Sequence, residues 1–288
     1  MCIRDRPHVQ DRLTSIAAFT NRIRNQRGLV PQLGDNDSGR FLPFLPMREQ
    51  HAPWEHMMDR RDVCRLILEV SATSSPATLS PASAMLAEYQ SNLSLPPSSY
   101  HADDFGLVIL RTTHFEMYGR AGSIGQLGRG GHSHNDQLSL VLCVDGYEFI
   151  CDPGTFIYTA LPDQRNLFRS TASHSTLVVG GREQHRIPSD MREGLFWVQS
   201  NNANASTLTC THTEWVASHK GYGKIHTRRV AIDNSTIIVQ DDCTLDLPKS
   251  IICMLHPTVE VHRVEKGVEC TRDGRTLRIQ SDDAISVE

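Results

Sequence analysis

The chain has 288 residues, with 29 Lys and Arg against 33 Asp and Glu, which gives a formal charge of −4. A hydrophobic content of 39% with 22% charged residues is typical of a folded globular protein and excludes a disordered chain. There is no apolar run of about 18 residues, so the sequence predicts no membrane span. The slight acidity argues against a nucleic-acid-binding protein, which usually carries a basic excess.

The first part of the chain predicts helices. Apolar residues over 9–23 follow a spacing of three to four, which predicts an amphipathic helix that ends near Gly28. Two further helices are predicted over 59–72 and 81–90. The segment 91–100 is rich in Ser and Pro and is typical of a linker.

From about residue 105 the apolar period changes to two, which is typical of β-strands. The predicted strands are 107–110, 115–118, 138–144, 147–151, 175–179, 195–199, 224–232, 236–240, 250–255 and 276–280. Turns are predicted at Asp145-Gly146, Asp233-Asn234 and Asp273-Gly274. Short strands joined by turns predict an antiparallel sandwich or a barrel-like sheet.

The segment Gly128–Gln137 concentrates side chains that can do chemistry. His132 and His134 lie two residues apart, which places both imidazoles on one side of an extended chain, and Asp152 and His174 follow further along. Two His and one carboxylate form a sensible ligand set for a borderline metal, with a fourth position open. The alternative is that they are hydrogen-bonded polar groups at strand ends.

A regular hairpin would keep these residues apart. If Asp145-Gly146 sets an unbroken ladder, Asp152 faces away from His132 and His134. A shared site therefore requires a bulge or a bend, either near 135–137 or directly after Asp152, where Pro and Gly follow.

A series of short motifs then carries a family resemblance. The motifs are Gly34–Arg40, Asp104–Gly106, Gly131–Ser139, Asp145-Gly146, Asp152–Thr155, Arg165-Asn166 and Phe168–His174. In this order they resemble the heparinase II/III family of polysaccharide lyases, from about residue 10 to the end and most specifically over 125–185. The resemblance implies the end of an α/α toroid, over 1–95, followed by a large antiparallel β-sandwich, over 96–288.

The resemblance also implies an activity, the cleavage of a uronic-acid-containing polysaccharide by β-elimination. The reaction removes the C5 proton and expels the oxygen at C4, so it needs a base, an acid and a group that neutralises the carboxylate. His132 matches the catalytic histidine of the family's sandwich domain. His134, Asp152 and His174 match the ligands of a Zn²⁺ ion with a structural role, and no organic cofactor is implied.

Three further residues are candidates for positioning the acidic sugar. They are Arg165, Asn166 and Arg169, and the argument is that guanidinium groups bind carboxylates in a bidentate manner. The alternative is that they pack at turns and strand edges. The family's usual place leads us to expect a protein of the cell envelope or periplasm, although the chain begins without an apolar leader.

One departure from the family concerns the first helices. The family's Tyr acid/base, and its Asn or His that neutralises the carboxylate, lie upstream of the Asp35-Asn36-Asp37 loop. Here 34 residues precede that loop, and none is Tyr. We therefore expect little or no lyase activity from this chain by itself. A helical pattern begins almost at the first residue and a strand pattern lies eight residues before the last, so we also expect a fragment cut at both ends.

Other interpretations remain open. A Ca²⁺ loop at 35–39 is disfavoured because its Gly comes one place early and the bidentate Glu is missing, so we interpret it as an Asx-rich turn that packs the helical part. A cupin-like metal enzyme would need a Glu about four residues after His134, where Leu138 and Ser139 stand. A non-catalytic sandwich that binds carbohydrate is the third possibility.

Overall fold

The computed structural model describes residues 7–35, 99–157, 160–188, 196–199 and 203–287. The chain divides into two compact units, of which the first comprises Met1–Pro31 and Asp37–Pro97 and the second Gln32–Asn36 and Ser98–Glu288. The helices predicted over 59–72 and 81–90 lie outside the described residues, as does 91–98 of the predicted linker.

In the first unit, the helix α1 (Pro7–Ile23) confirms the helix predicted from the apolar spacing, but it ends before Gly28. The Asn25 side-chain oxygen accepts hydrogen bonds from the backbone N–H groups of Arg27 and Leu29, each at 2.9 Å. Gly28, at a φ of +82°, donates its N–H to the Asn25 carbonyl. A side chain that bonds its own backbone competes with the helical ladder, so Asn25 turns the chain.

The second unit consists of antiparallel strands, which confirms the predicted β-sandwich. The strands are β1 (Tyr100–Ala102), β2 (Leu107–Arg111), β3 (Phe115–Arg120), β4 (Leu140–Val144), β5 (Tyr147–Ile150), β6 (Leu177–Val179), β7 (Ser206–Cys210), β8 (Glu214–His219), β9 (His226–Ile232), β10 (Ile237–Cys243), β11 (Lys249–Ile251), β12 (Glu260–Val264), β13 (Gly267–Arg272) and β14 (Arg275–Ile279). They form sheets in the orders β1-β2-β3-β4-β5, β10-β9-β8-β7, β11-β6 and β12-β13-β14.

One hydrophobic core joins the two larger sheets. Val108, Leu110 and Met117 of the five-stranded sheet and Trp215 and Val230 of the four-stranded sheet belong to the same buried cluster. Full burial of such a side chain stabilises the fold by about 1.5–3 kcal/mol relative to exposure. The layered core therefore supplies the rigid frame on which the connecting loops are placed.

Helices are few in the described part of the second unit. The helix α2 (Pro162–Phe168) begins with Pro, whose missing N–H costs nothing at a first helical position. Single 3₁₀ turns lie at Asp103–Phe105, Gln126–Gly128 and Thr171–Ser173. Among the described residues, no helix has the length and apolar character needed to cross a membrane.

The predicted turns are confirmed. Asp145 and Gly146 have φ values of +48° and +78°, and Asp273 and Gly274 have values of +50° and +74°. Positive φ at both central residues is what a type I′ hairpin requires, and Asp-Gly meets that requirement at low cost. The third predicted turn, at Asp233-Asn234, joins β9 to β10.

Some strands are not predicted by the sequence pattern. The pattern does not predict β1, β7, β8, β12 or β13. In β8 the inward residues are Trp215, Ala217 and His219, while the outward positions include Val216, so hydrophobicity does not alternate cleanly. The strand predicted over 195–199 is wrong for its described part, where Gln199 forms one isolated bridge with Arg186.

The β4–β5 hairpin contains the irregularity that a shared site requires. Its register passes from Cys143↔Glu148 to Leu142↔Ile150, so Phe149 is an extra residue. One extra residue reverses the face to which the following residues point. A bend near 135–137 is also present, since Leu138 has a φ of +57°, and the chain bends again after Asp152, where Gly154 has a φ of +66°.

Gly119 of β3 faces the indole of Trp215, and a Cβ at Gly119 would lie 2.5 Å from Cζ3 of that ring. We therefore expect Gly119→Ala to lower the free energy of unfolding by about 1–3 kcal/mol, the usual effect of overpacking, as measured by urea denaturation. Adding Trp215→Phe removes the obstructing atoms, so the double variant should lose less than the sum of the two single losses. Additive losses would contradict this contact.

Candidate metal centre

His134, Asp152 and His174 converge in the interior of the second unit. Nδ1 of His134 lies 3.0 Å from Nε2 of His174, and that nitrogen lies 3.7 Å from Oδ2 of Asp152. All three side chains are buried, and their ligand atoms lie within 4.8 Å of one another. The structure thus brings together the three residues that the resemblance pairs with a metal.

Three connecting segments position this cluster. His134 lies in the loop before β4, and the next residue, Asn135, donates its N–H to the carbonyl of Arg169 at 2.9 Å. Asp152 lies two residues after the end of β5, beyond the bulge. His174 follows the 3₁₀ turn at Thr171–Ser173. Residues far apart in the sequence therefore meet because the loops at one end of the sheet are tied to one another.

Hydrogen bonds outside the cluster determine which ring nitrogens face into it. Nδ1 of His174 lies 2.7 Å from the Ser170 carbonyl, which only accepts, so Nδ1 carries the proton and Nε2 the lone pair. Nε2 of His134 lies 2.9 Å from the Asp35 carboxylate, so Nε2 carries the proton and Nδ1 the lone pair.

Two lone pairs consequently face each other at 3.0 Å, beside the Asp152 carboxylate. A buried acceptor without a donor costs about 1–3 kcal/mol, so this arrangement favours a cation between the two nitrogens. A carboxylate as the third group favours a metal ion over a shared proton, since it adds a third ligand.

A second pair of buried imidazoles in the same unit has the opposite pattern. Nδ1 of His219 accepts the N–H of Gly221 at 3.0 Å, so its Nε2 carries the proton and donates to Nδ1 of His226 at 2.9 Å. Nε2 of His226 then donates to Asp241 at 2.7 Å. Every ring nitrogen of His219 and His226 therefore has a hydrogen-bond partner without a cation. The two pairs differ in the outermost hydrogen-bond partner. It is the Ser170 carbonyl, an acceptor, for His174, and the Gly221 N–H, a donor, for His219.

Asp35 is a site residue that the sequence assigned to a different role. It was expected to lie in a turn that packs the helical part, but its carboxylate is 1% exposed and belongs to the second unit. It accepts hydrogen bonds from His132, His134 and Arg165. Burial alone would raise the pKa of Asp35, but the hydrogen bonds from His134 and Arg165 hold it well below its ordinary value. The motif Gly34–Arg40 was the signal that could have found it.

The predicted sugar-positioning residues lie on α2 or directly after it. Arg165 is fully buried, and its NH1 and NH2 groups donate to the two oxygens of Asp35 at 2.9 and 2.8 Å. Arg169 is also buried and donates from Nε to Oδ1 of half-buried Asn166 at 3.0 Å. Burial, and then the like charge of Arg165, lowers the pKa of Arg169 to about 10. Both guanidinium groups organise the site from within, and their role towards a sugar stays a prediction.

His132 differs from the cluster residues because its side chain is 59% exposed. Its Nδ1 lies 3.1 Å from Oδ2 of Asp35. The predicted catalytic imidazole therefore lies at the surface, one carboxylate away from the buried His134.

Comparison with known proteins places the chain in a family. The family model described as "Heparinase II/III-like, C-terminal" matches residues 95–288. The chain belongs to the heparinase II/III-like family. No curated protein sequence matches this heparinase II/III-like chain significantly.

Solved structures share the fold of this heparinase II/III-like chain. A heparan sulfate lyase HepC from Pedobacter heparinus is 17% identical, with a TM-score of 0.57 over 92% of this chain and 38% of that one. A mutant of that lyase is 19% identical, with a TM-score of 0.60 over 96% and 40%. A heparinase III is 15% identical, with a TM-score of 0.56 over 92% and 39%. The chain thus spans about two fifths of the length of these structures.

The residues of the cluster fit a zinc ion of the kind that the family resemblance implies. Zn–N bonds of about 2.0–2.1 Å in a tetrahedron place two ligand atoms about 3.3 Å apart, close to the 3.0 Å between the two imidazole nitrogens. Asp35 and the Ser170 carbonyl orient the two rings from outside, as partners of metal-bound histidines usually do. His134, Asp152 and His174 would hold the ion.

We expect Zn²⁺ to bind the chain and stabilise it by about 2.7 kcal/mol when free Zn²⁺ is 100 times the Kd, as measured by thermal unfolding with and without metal. His174→Ala removes one of the facing nitrogens and should abolish the metal-dependent increment. His226→Ala, a matched control in the other imidazole pair, should lower stability but keep that increment. An equal increment in His174→Ala would show that zinc binds elsewhere.

The His219 pair predicts a pH dependence. Burial, and next the charge of His226, lowers the pKa of His219 from 6.5 to about 3. Because the folded pKa lies below the unfolded one, the stabilisation is complete above pH 6.5 and is lost as the pH falls towards 3. We expect the free energy of unfolding to fall by about 1.4 kcal/mol per pH unit across this window for this one group.

Urea denaturation at a series of pH values measures that slope. His219→Gln should flatten it, whereas His212→Gln, which changes an exposed histidine, should leave it unchanged. The same slope in His219→Gln as in the unaltered chain would show that another group titrates.

Proposed function

We propose that the chain is part of a polysaccharide lyase that cleaves a uronic-acid-containing polysaccharide by β-elimination. One observation carries the proposal: an exposed imidazole, His132, lies beside a buried cluster that favours a cation, and Asp35 joins the two. Membership of the heparinase II/III-like family supports the reaction class.

The residues of this chain can supply part of what elimination requires. The reaction needs a group that takes or gives a proton at the sugar, and an exposed imidazole does this near neutral pH. His132 is the candidate, since its ring reaches the surface. A bound zinc ion would supply a fixed positive charge that holds His134, Asp152 and His174 in place, and its role is structural.

The carboxylates at this site favour elimination over hydrolysis. Most glycosidases place two carboxyl groups on either side of the scissile bond, where both reach the sugar. Asp35 and Asp152 are buried, and both are occupied: Asp35 by His132, His134 and Arg165, and Asp152 by the backbone N–H groups of Gly34 and Gly154. Neither carboxylate of the described site is therefore placed to serve as a hydrolytic nucleophile or acid.

The proposed substrate is an acidic polymer, and its chemistry favours a location in the cell envelope, where such polymers occur. Two of the similar structures are described as heparan sulfate lyases, so a heparan-like uronate is one candidate. Alginate-like and bacterial capsule uronates are others. An elimination site of this kind recognises the C5 carboxylate that these polymers share.

A second candidate function is a non-catalytic sandwich that binds carbohydrate. The inward direction of Arg165 and Arg169 favours it, because neither guanidinium reaches the surface to hold a carboxylate during turnover. The cupin-like alternative loses support, since Leu138 is part of the hydrophobic core.

An elimination assay distinguishes the two functions. We define the longer protein as this chain together with any residues encoded upstream of it. We expect the longer protein to release unsaturated uronic-acid products, detected by the ultraviolet absorbance of the new C4–C5 double bond. We expect the 288-residue chain by itself to give little or none, because the family's tyrosine and carboxylate-neutralising groups lie upstream of the motif at 34–40. His132→Ala should reduce the rate of the longer protein about 10²–10⁴-fold, the usual contribution of general acid–base catalysis.

His114→Ala is the matched control. His114 is also exposed and also pairs with a carboxylate, at 2.9 Å from Asp145, so its loss should leave the rate unchanged. Products without a double bond would contradict elimination, and binding of the polymer without any product would favour the non-catalytic sandwich.

A further inference from the structure

We propose that Asp35 is a positioning residue for His132: it holds one tautomer of the exposed imidazole and links that imidazole to the buried cation cluster. That His132 acts as a catalytic base rests on the proposed function, whereas the tautomer of its ring does not. Four N–H groups of the described residues share this one carboxylate.

Each oxygen of Asp35 accepts one imidazole N–H and one guanidinium N–H. Oδ1 lies 2.9 Å from Nε2 of His134 and 2.9 Å from NH1 of Arg165. Oδ2 lies 3.1 Å from Nδ1 of His132 and 2.8 Å from NH2 of Arg165. The bidentate guanidinium fixes the plane of the carboxylate, so both imidazoles meet an acceptor in a set direction.

The backbone holds Asp35 in the same place. Its N–H donates to the carbonyl of His132 at 3.3 Å, and the N–H of Gly34 donates to Oδ2 of Asp152 at 3.1 Å. Gly34 adopts a φ of +66°, and a Cβ there would lie 3.0 Å from the His132 carbonyl. Two consecutive residues therefore contact the exposed imidazole residue and two of the cluster residues.

The consequence for His132 is chemical. The two N–H groups of Arg165 each donate to one oxygen of Asp35, which is the geometry of a guanidinium–carboxylate ion pair, so both oxygens of Asp35 can only accept. Nδ1 of His132 must then carry the proton, and Nε2 carries the lone pair on a ring that is 59% exposed. An imidazole held in this tautomer has its proton acceptor at Nε2, which is the form that a general base needs.

Nuclear magnetic resonance of the full chain with ¹⁵N-labelled histidine tests this directly, because a bare ring nitrogen and a protonated one have different shifts. The measurement is made with saturating Zn²⁺, at a pH where the exposed imidazoles are neutral. We expect Nε2 of His132 to be the bare nitrogen in the unaltered chain. The opposite tautomer there would overturn the proposal without any variant.

Asp35→Asn provides the second step. An amide presents a donor in place of one carboxylate oxygen, so we expect His132 to shift towards the Nε2–H tautomer. Asp145→Asn is the matched control, because Asp145 holds the comparable exposed imidazole of His114. It should change the shifts of His114 and leave those of His132 unchanged. An unchanged His132 in folded, zinc-loaded Asp35→Asn would overturn the proposal.

Kinetics separate this inference from the proposed function. In the longer protein, Asp35→Asn should lower kcat by about 10²-fold or more with little change in KM, because the wrong tautomer is costly and Asp35 is too buried to bind sugar. Elimination that Asp35→Asn leaves unchanged would refute the positioning role while the lyase activity stands. A tautomer that changes as expected in a protein that eliminates nothing would refute the lyase activity alone.

Discussion

The site depends on one contact, the 3.0 Å approach of Nδ1 of His134 to Nε2 of His174. Both nitrogens carry lone pairs, because the partners on the far sides of the rings, Asp35 and the Ser170 carbonyl, both demand protons. Buried acceptors that face each other are unfavourable unless something positive lies between them. The bulge at Phe149 redirects the chain before Asp152, whose carboxylate lies 3.7 Å from Nε2 of His174.

The second imidazole pair shows how little separates a cation site from an inert core. His219 and His226 approach as closely, at 2.9 Å, and also end on a carboxylate that a guanidinium holds in a bidentate manner. The outermost partner is the N–H of Gly221 instead of a carbonyl. Each group in the series therefore donates to the next one, and every ring nitrogen has a partner. Two histidines near a carboxylate are therefore a weak criterion for a metal site. The direction of the outermost hydrogen bond is a stronger one.

The sequence predicted features that depend on neighbours in the chain. Asp145-Gly146 and Asp273-Gly274 specify their turns locally, and β2 and β4 are apolar enough to be recognised by themselves. The strand β8 was missed because its outward Val216 hides the alternation. The bulge at Phe149 and the role of Asp35 both depend on partners that the local pattern does not contain, and Asp35 lies 97 residues from His132. Local turn chemistry at 35–39 suggested a plausible but incorrect role for it.

The membership of residues 32–36 in the second unit affects how this protein can be divided. The first unit is interrupted after Pro31 by five residues, Gln32–Asn36, that belong to the second unit. The first unit then continues from Asp37 to Pro97, and the rest of the second unit begins at Ser98. A sandwich excised at the start of the family match, residue 95, would leave the cation of Arg165 buried without its counter-charge. An isolated β-domain of this chain is therefore complete only if it includes residues 32–36.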